Sequence, residues 1–464
     1  MNYHNKQILV LGLGRSGLAA ARLLQQAGAI VTVIDSGSSE ALEQRAKQLR
    51  AEDISIYLGK EALDLISTNY ELRTTNCHCE AMVFQRAILS PGIDPASALV
   101  KHVVTHGIPL IGELELAYEF CKCPIVAITG TNGKTTTTEL TVAGLQAAGL
   151  KAIACGNIGL PFSEVVLQSA ELDVIIIEVS SFQLEATDRF HAHVAVWLNL
   201  SPNHLDRYAS VAEYREAKLR VFRNQESDDV VVIPKNFDTE ELPQFVARQI
   251  TVSSQDEIAD FFFDGKSICY HQRPLLELGQ TQLCGAHNAE NIMAAFAIGV
   301  ALKVPPQKMI KGISEYRSLP HRCEVVIEKN GVLWINDSKS TTLDAMKKAL
   351  QSIEKNRSII LIAGGKNKGS SFASILPLIK ERVKEAILLG ELRHSIAKEW
   401  QGVPSHQVNS MQEAVQLAAL HAVSGDVVLL SPGTSSYDMF KSYEERGNRF
   451  KEAVRNEQCS TRSL

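Results

Sequence analysis

Four hundred and sixty-four residues, at about 150 per domain, predict roughly three domains, and 45% hydrophobic with 21% charged residues excludes a disordered or collagen-like chain. Lys and Arg number 47 against 52 Asp and Glu, and this formal charge of −5 argues against a broad nucleic-acid surface, so any anionic ligand falls to local cations and helix N-termini. No apolar run reaches the ~18–20 residues of a membrane span (Met293–Leu302 is the longest), and Arg15 breaks the Ile8–Gly14 run before it can serve as a signal core.

Gln7–Leu11 is an apolar run of strand length ending in Gly12-Leu13-Gly14-Arg15-Ser16-Gly17. An Ala- and Leu-rich helical pattern follows to Gly28, then a second strand, Ile30–Ile34, closes on Asp35. This is one βαβ unit, and a further strand ends at Leu89, just before Ser90-Pro91-Gly92. Between them Cys77-His78-Cys79 looks metal-like, but no second ligand pair stands nearby, so a solvated loop is predicted. The nine Cys include no CxxC pair, which argues against a disulfide framework and for a reducing cytoplasm.

A boundary near Gly112 precedes the Glu-rich stretch Glu113–Glu119. Strand Pro124–Ile128, loop Thr129–Gly133 and helix Lys134–Leu150 then open the second domain. Strand Asp173–Ile177 ends in Glu178, strand Val194–Leu198 ends in Asn199, and Gly285–Val304 reads as a long apolar helix. Pro320 discourages helix at Leu319 and sets the next boundary. Strands Val332–Ile335, Ser358–Ala363, Ala386–Leu389 and Val427–Leu430 follow, each closing on small or polar residues, and the last helix is expected at Met439–Val454. The predicted class is α/β, with three domains each built around a mainly parallel sheet. They are a Rossmann-like domain at 1–112, a P-loop-type ATPase domain at 113–318 and a Rossmann-like domain at 319–464. Parallel sheets bind ligands beyond the carboxyl ends of their strands, so each domain offers a site on one edge.

The most informative segment is Thr129-Gly130-Thr131-Asn132-Gly133-Lys134-Thr135-Thr136, set between strand and helix. Its glycines let backbone N–H groups curl around phosphates, Lys134 reaches the outer phosphates, and the Thr135 hydroxyl can ligate Mg²⁺. Ile128 stands where the full motif wants Gly, so the loop is a variant. Glu178, 44 residues beyond Lys134, sits where a carboxylate for the metal belongs. His204, in Asn203-His204-Leu205-Asp206-Arg207, has even odds of function on the residues alone. The N-terminal GxGxxG with Asp35 is the dinucleotide fingerprint, yet it is only a diphosphate cradle and names no nucleotide. Arg322 beside the junction and the cluster Asn336-Asp337-Ser338-Lys339-Ser340-Thr341-Thr342 point to a small anionic ligand in the third domain. Lys368 and Ser435-Ser436-Tyr437-Asp438 add to that reading.

Together these residues resemble the Mur ligases, from Val10-Leu11-Gly12-Leu13-Gly14 to Tyr443-Glu444-Glu445-Arg446-Gly447-Asn448. The Gly130–Thr135 loop and the Leu319–Arg322 junction are shared across that family, whereas three segments are similar to its D-glutamate-adding branch: Glu178–Gln183, Asn336–Lys339 and Ser431–Phe440. The arginine-bearing motif of the diaminopimelate-adding branch is absent, and folylpolyglutamate synthases lack the first domain. The pocket reads Asp-Ser-Lys-Ser-Thr-Thr where the family often has Asp-Ser-Lys-Ala-Thr-Asn, which leaves the charge pattern intact.

The resemblance implies an ATP-dependent, amide-bond-forming ligase of cytoplasmic peptidoglycan precursor synthesis, acting on UDP-N-acetylmuramoyl-L-alanine and D-glutamate through an acyl phosphate. It implies that Lys134, His204 and Lys218 are catalytic, and that Gly130, Thr131, Asn132, Gly133, Lys134, Thr135, Thr136, Asn288, Asn291, Arg322 and Asp337 bind ATP. Two Mg²⁺ ions are implied on Thr135, Glu178, His204 and Lys218, the last as a carbamate; by the residues alone Lys218 is a surface helix position. Gly14, Arg15, Ser16, Asp35, Ser36, Ser90 and Asn157 match the UDP-substrate contacts, and Lys339, Thr341, Lys368, Ser436 and Tyr443 the D-glutamate pocket. The expected partners are these small molecules and no nucleic acid, and a monomer is expected. Competing readings are a sister ligase adding another amino acid, an NAD-dependent oxidoreductase using Gly12–Gly17, and a non-catalytic nucleotide-gated binding protein.

Overall fold

The computed structural model describes residues 2–65, 84–202, 204, 207–237, 245–283, 285–317, 320–353, 356–366 and 371–460. Cys77-His78-Cys79, Leu319, Lys368 and all of Tyr70–Gln85 except Phe84 and Gln85 lie outside them. The chain forms two compact units: residues 1–262 with 269–275 and 291–313, and residues 263–268 with 276–290 and 314–464.

In the first unit, β1 (Gln7–Leu11), β2 (Ile30–Asp35), β3 (Ser55–Leu58), β4 (Arg86–Leu89) and β5 (Leu110–Gly112) make a parallel sheet of order β3-β2-β1-β4-β5. The chain leaves β1 toward one side and returns to pair β4 on the other, so the strand order reverses between β1 and β4. Leu11 pairs with Leu89 there, which brings the glycine loop after β1 beside Ser90. Such a reversal opens a crevice at the carboxyl ends of the strands.

The second sheet runs through β6 (Ile125–Thr129), β7 (Ala152–Gly156), β8 (Val174–Glu178), β9 (Val194–Trp197), β10 (Val230–Pro234), β11 (Arg248–Ser253), β12 (Phe261–Phe263), β13 (Ser267–Tyr270) and β14 (Arg273–Glu277). Its order is β14-β13-β12-β11-β10-β9-β6-β8-β7. β6 and β8 are buried at every residue, as expected of strands covered on both faces; each fully buried Val, Leu or Ile there contributes about 1.5–3 kcal/mol over its exposed state. β6 lies between β8 and β9, and Ile128 pairs with Glu178 while Thr129 pairs with Trp197. The loop after β6 is therefore flanked by Glu178 on one side and by Leu198 and Asn199 on the other.

In the second unit, β15 (Glu324–Lys329), β16 (Val332–Asn336), β17 (Ile359–Ala363), β18 (Val383–Leu388), β19 (Ser405–Gln407) and β20 (Val427–Leu430) form a sheet of order β15-β16-β20-β17-β18-β19. Only β15, joined to β16 by the tight turn at Asn330-Gly331, is antiparallel within it. Asn336 and Ile362 both pair with Leu430, so Asp337, Gly364 and Ser431 leave the sheet at one edge. The last helix is Tyr443–Ser460 rather than Met439–Val454: Ser442 caps it, its hydroxyl accepting from Glu445 N at 3.3 Å, so Met439 and Phe440 precede the helix. The helix expected at Gly285–Val304 is Ala286–Ala301, and Pro306–Glu315 follows as a separate helix. Of the second sheet, β7 and β10–β14 were not anticipated.

Candidate active site

Gly130 and Gly133 take left-handed φ values of 149° and 84°, and Gly133 is the residue before helix Lys134–Ala147. A Cβ on Gly133 would stand 2.3 Å from Asn291 Oδ1, so only glycine fits. Asn291 in turn accepts from Thr137 Oγ1 at 3.2 Å. Thr131 N donates to Asn199 O, Asn132 N to Asn199 Oδ1 at 2.9 Å, and Asn199 Nδ2 to Asn132 O at 3.0 Å. This two-way latch sets the loop's curvature. Lys134 Nζ folds back on the loop and donates to Gly130 O at 2.8 Å and Thr131 O at 3.0 Å. Its ammonium thus sits inside the loop's own curl, within reach of a phosphate that would enter there.

Beside the loop, Thr135 Oγ1 donates to Glu178 Oε2 at 2.7 Å, and Asn157 Nδ2 donates to Glu178 Oε1 at 2.7 Å. Glu178 is 2% exposed. Two hydroxyl and carboxylate oxygens in contact, next to a phosphate-type loop, are a hard-oxygen donor set that suits Mg²⁺. Gly156 permits this approach, since a Cβ there would lie 2.5 Å from Glu178 O.

Lys218 departs from the sequence expectation of a surface position. It is 1% exposed, and its Nζ donates to Gly130 O at 3.0 Å and lies 4.7 Å from the centre of the Tyr214 ring. Helix Val211–Leu219 carries Tyr214 and Lys218 inward on one face, four residues apart. Burial, with Lys134 adding to it and Glu178 opposing, pushes the Lys218 amine down to about 6. The uncharged form of the amine is thereby favoured. Thr131 Oγ1 stands 3.5 Å from the Tyr214 hydroxyl, and the His204 ring lies 6.0 Å from Tyr214 and 4.8 Å from Phe182. His204 is exposed and has φ 55°.

At the first sheet's crevice, Asp35 Oδ2 accepts from Leu13 N and Oδ1 from Gly37 N, both at 2.8 Å. Its carboxylate therefore ties down the glycine loop, whereas a dinucleotide site needs it turned toward a ribose. Gly14 precedes helix Arg15–Gln26 with no side-chain cap, which leaves the first-turn N–H groups of Arg15 and Ser16 directed at the crevice. Ser90 is buried and Ser36 exposed at the same edge. Arg45, which sequence reasoning missed, donates to Leu13 O at 3.1 Å.

The second unit gathers its own set. Asp337 Oδ2 accepts from Ser431 Oγ at 2.9 Å and Oδ1 from Cys323 N at 3.2 Å. Burial raises this carboxyl to about 7, against the lowering effects of Ser431, Cys323 and the Arg322 guanidinium. Lys339 Nζ lies 3.8 Å from the centre of the Tyr443 ring, a cation–π contact. Thr341 is half-buried and Ser436 buried after β20. Arg446, also missed, is 1% exposed and donates to Ser338 Oγ at 3.0 Å, Ser338 O at 2.9 Å and Thr434 O at 3.1 Å, so it ties the loop after β16 to the loop after β20. Only its distance in sequence from those loops hid it. Of the two asparagines on helix Ala286–Ala301, Asn288 belongs to this unit and Asn291 to the first, where it meets Gly133 and Thr137.

Comparison with known proteins adds an independent line. The chain matches the Mur ligase MurD-like N-terminal domain over residues 6–112, the Mur ligase middle domain over 128–299 and the Mur ligase, glutamate ligase domain over 321–433. It is 40% identical over 465 residues to the UDP-N-acetylmuramoylalanine--D-glutamate ligase of Geotalea uraniireducens and 38% identical over 464 residues to that of Koribacter versatilis. Each comparison covers 98% of both chains. Among solved structures, the UDP-N-acetylmuramate-alanine ligase MurC from Thermotoga maritima shares the fold, with a TM-score of 0.60 at 18% identity over 98% of this chain and 100% of that one.

Proposed function

The chain belongs to the Mur ligase family, and on that premise we propose that it joins D-glutamate to UDP-N-acetylmuramoyl-L-alanine with ATP, as a cytoplasmic monomer in peptidoglycan precursor synthesis. The chemistry rests above all on the buried Thr135–Glu178 pair beside the Lys134 loop; the choice of amino acid follows the full-length relatives. In this reading residues 1–112 receive the uridine diphosphate end, residues 113–318 the ATP, and residues 319–464 the D-glutamate.

The substrate carboxylate attacks the γ-phosphorus of ATP, ADP leaves, and an acyl phosphate forms. The amine of D-glutamate then adds to the acyl carbon, and phosphate departs from the tetrahedral intermediate. The first step brings two anions together. Lys134 moves from the carbonyls of Gly130 and Thr131 to the phosphates and neutralises charge there, and the N–H groups of the loop and of the helix N-terminus add to it. Mg²⁺, held by Thr135 and Glu178 and by a second group of His204 and carbamylated Lys218, would supply further neutralisation of the phosphoryl oxygens. The depressed Lys218 amine supports the carbamate, because CO₂ adds only to an uncharged amine. In this reading Asn157, bonded to Glu178, also contacts the UDP-substrate. Lys339, Thr341, Lys368, Ser436 and Tyr443 bind D-glutamate in this reading, and Asn288, Asn291, Arg322 and Asp337 bind ATP.

Phosphate release should require ATP, UDP-N-acetylmuramoyl-L-alanine and D-glutamate together. Lys134→Ala is expected to lower kcat/KM by at least about 10³, as loss of a transition-state charge contact does, with an unchanged circular dichroism spectrum. A panel of amino acids separates this reading from a sister ligase: preference for another amino acid over D-glutamate overturns it.

A further inference from the structure

A second cluster of ligating side chains stands in the second unit, in the amino-terminal half of β18 and away from Gly390, where that strand meets the loops described above. Along β18, Lys384 is exposed, while Glu385 and Ile387 share the buried face that helix Met411–His421 covers. β19 sets His406 opposite Ile387, which puts its ring on the same face as Glu385. His421 reaches the same point as the last residue of the helix.

His421 Nδ1 lies 2.8 Å from Glu385 Oε1 and 2.9 Å from Oε2, and His406 Nε2 lies 2.9 Å from Oε1. The three ligand atoms all fall within 4.8 Å of one another. Glu385 is 7% exposed, and among the described residues its carboxylate has no Lys or Arg partner. A buried carboxylate is costly without a counter-charge, and here two imidazole nitrogens and no Lys or Arg face it among the described residues. A divalent cation supplies that charge.

We propose that Glu385, His406 and His421 bind a borderline divalent cation of the Zn²⁺ class, which fastens β18, β19 and the end of helix Met411–His421 to one another. Two imidazole nitrogens with one carboxylate suit Zn²⁺, Co²⁺ or Ni²⁺ and disfavour Mg²⁺ and Ca²⁺. Ligands about 2.0 Å from a tetrahedral zinc stand about 3.3 Å apart, so the nitrogen–oxygen separations need open by only a few tenths of an ångström. A tautomer shift carries the protons to His421 Nε2 and His406 Nδ1 and frees the ligating nitrogens. Lys384 Nζ, donating to His421 O at 3.2 Å and to Asp426 Oδ2 at 2.8 Å, fixes the helix end on which His421 sits. The site is independent of the proposed ligase chemistry.

The test is calorimetric titration of the metal-stripped full chain with Zn²⁺ in excess Mg²⁺, alongside visible absorption of the Co²⁺-loaded chain. The wild type is expected to bind one more equivalent of Zn²⁺ than His406→Asn, or to bind it at least tenfold more tightly. The Co²⁺ band should fade in the variant, and Zn²⁺ should raise the melting temperature of the wild type alone. His406 has a half-exposed ring, so its replacement leaves the core intact; Glu385→Gln provides a second variant with the same expectation. Equal Zn²⁺ uptake by the wild type and both variants, or none by the wild type, overturns the proposal.

Discussion

Lys218 shows what a single burial does to chemistry. In water its amine would carry a proton up to pH 10.5, but inside the first unit it stays neutral down to about 6. The unfolded chain takes up that proton as pH falls below 10.5 and the folded chain does not until about 6. Between those values the uncarbamylated protein therefore loses stability as pH falls, and below about 6 the loss levels off. Lys218→Met removes the penalty. In bicarbonate-free buffer its melting temperature should exceed the wild type's by more at pH 6.5 than at pH 9, at about 2–4 °C per kcal/mol gained. Its ligase activity should fall at least about 100-fold, and bicarbonate should stimulate only the wild type, provided Lys218 is the carbamylated group. Asp337 runs the other way. Burial lifts it to about 7, so the folded chain keeps a proton that the unfolded chain releases near 3.8, and stability declines as pH rises from 3.8 to about 7. Under the proposed role of Asp337 in binding ATP through its ionised form, kcat/KM for ATP should show an acidic limb near pH 7. Asp337→Asn should flatten that limb and lower the plateau about tenfold, the value of one charged hydrogen bond. An unchanged limb would assign it to another group.

At the scale of elements, the turn from β6 into helix Lys134–Ala147 depends on two residues that meet across the fold. Gly133→Ala faces both φ 84° and Asn291 Oδ1 at 2.3 Å, and is expected to cost about 1–3 kcal/mol and most of the ATP affinity. Asn291→Ala removes the clash but not the backbone strain. In Gly133→Ala/Asn291→Ala the two losses of stability should be less than additive by at least about 0.5 kcal/mol, read from denaturant midpoints; strict additivity would mean that the two residues do not meet. The loop itself was legible because its causes are local: an apolar strand, glycines where φ must be positive, and a helix start. Glu178 was legible for the same reason, as the polar end of an apolar run. Asn199 was seen only as a strand terminus, because its bonds reach Asn132 across 67 residues. Lys218 was misplaced because helix Val211–Leu219 carries Glu213, Arg215 and Glu216 in a pattern that reads as solvated, and only packing around β6 buries its inner face. Among the missed strands, β12 is only three residues long, whereas β11 and β14 are mixed in polarity; β14 holds Arg273, Pro274 and Glu277.

At the scale of the molecule, the three tryptophans report on different cores. Trp197 packs in the first unit with Val231, Ile233 and Ala247 and against the rings of Phe222 and Phe237, directly beside the phosphate-loop strand β6. Trp334 and Trp400 sit in the second unit, on opposite faces of its sheet, in the clusters around Val428 and Leu361 respectively. Multi-unit chains of this length commonly lose cooperativity between their cores. Trp334→Phe/Trp400→Phe leaves Trp197 as the sole indole, and Trp197→Phe leaves only the second unit's pair. Urea unfolding followed by fluorescence in these two backgrounds should give different midpoints. Asn199→Ala, which strips the loop of its latch at a cost of about 1–3 kcal/mol, should then move the Trp197 transition and leave that of Trp334 and Trp400 in place. If both reporters move together by the same amount, the chain unfolds as one cooperative block, and the loop's stability is set by the whole molecule rather than by the sheet that carries it.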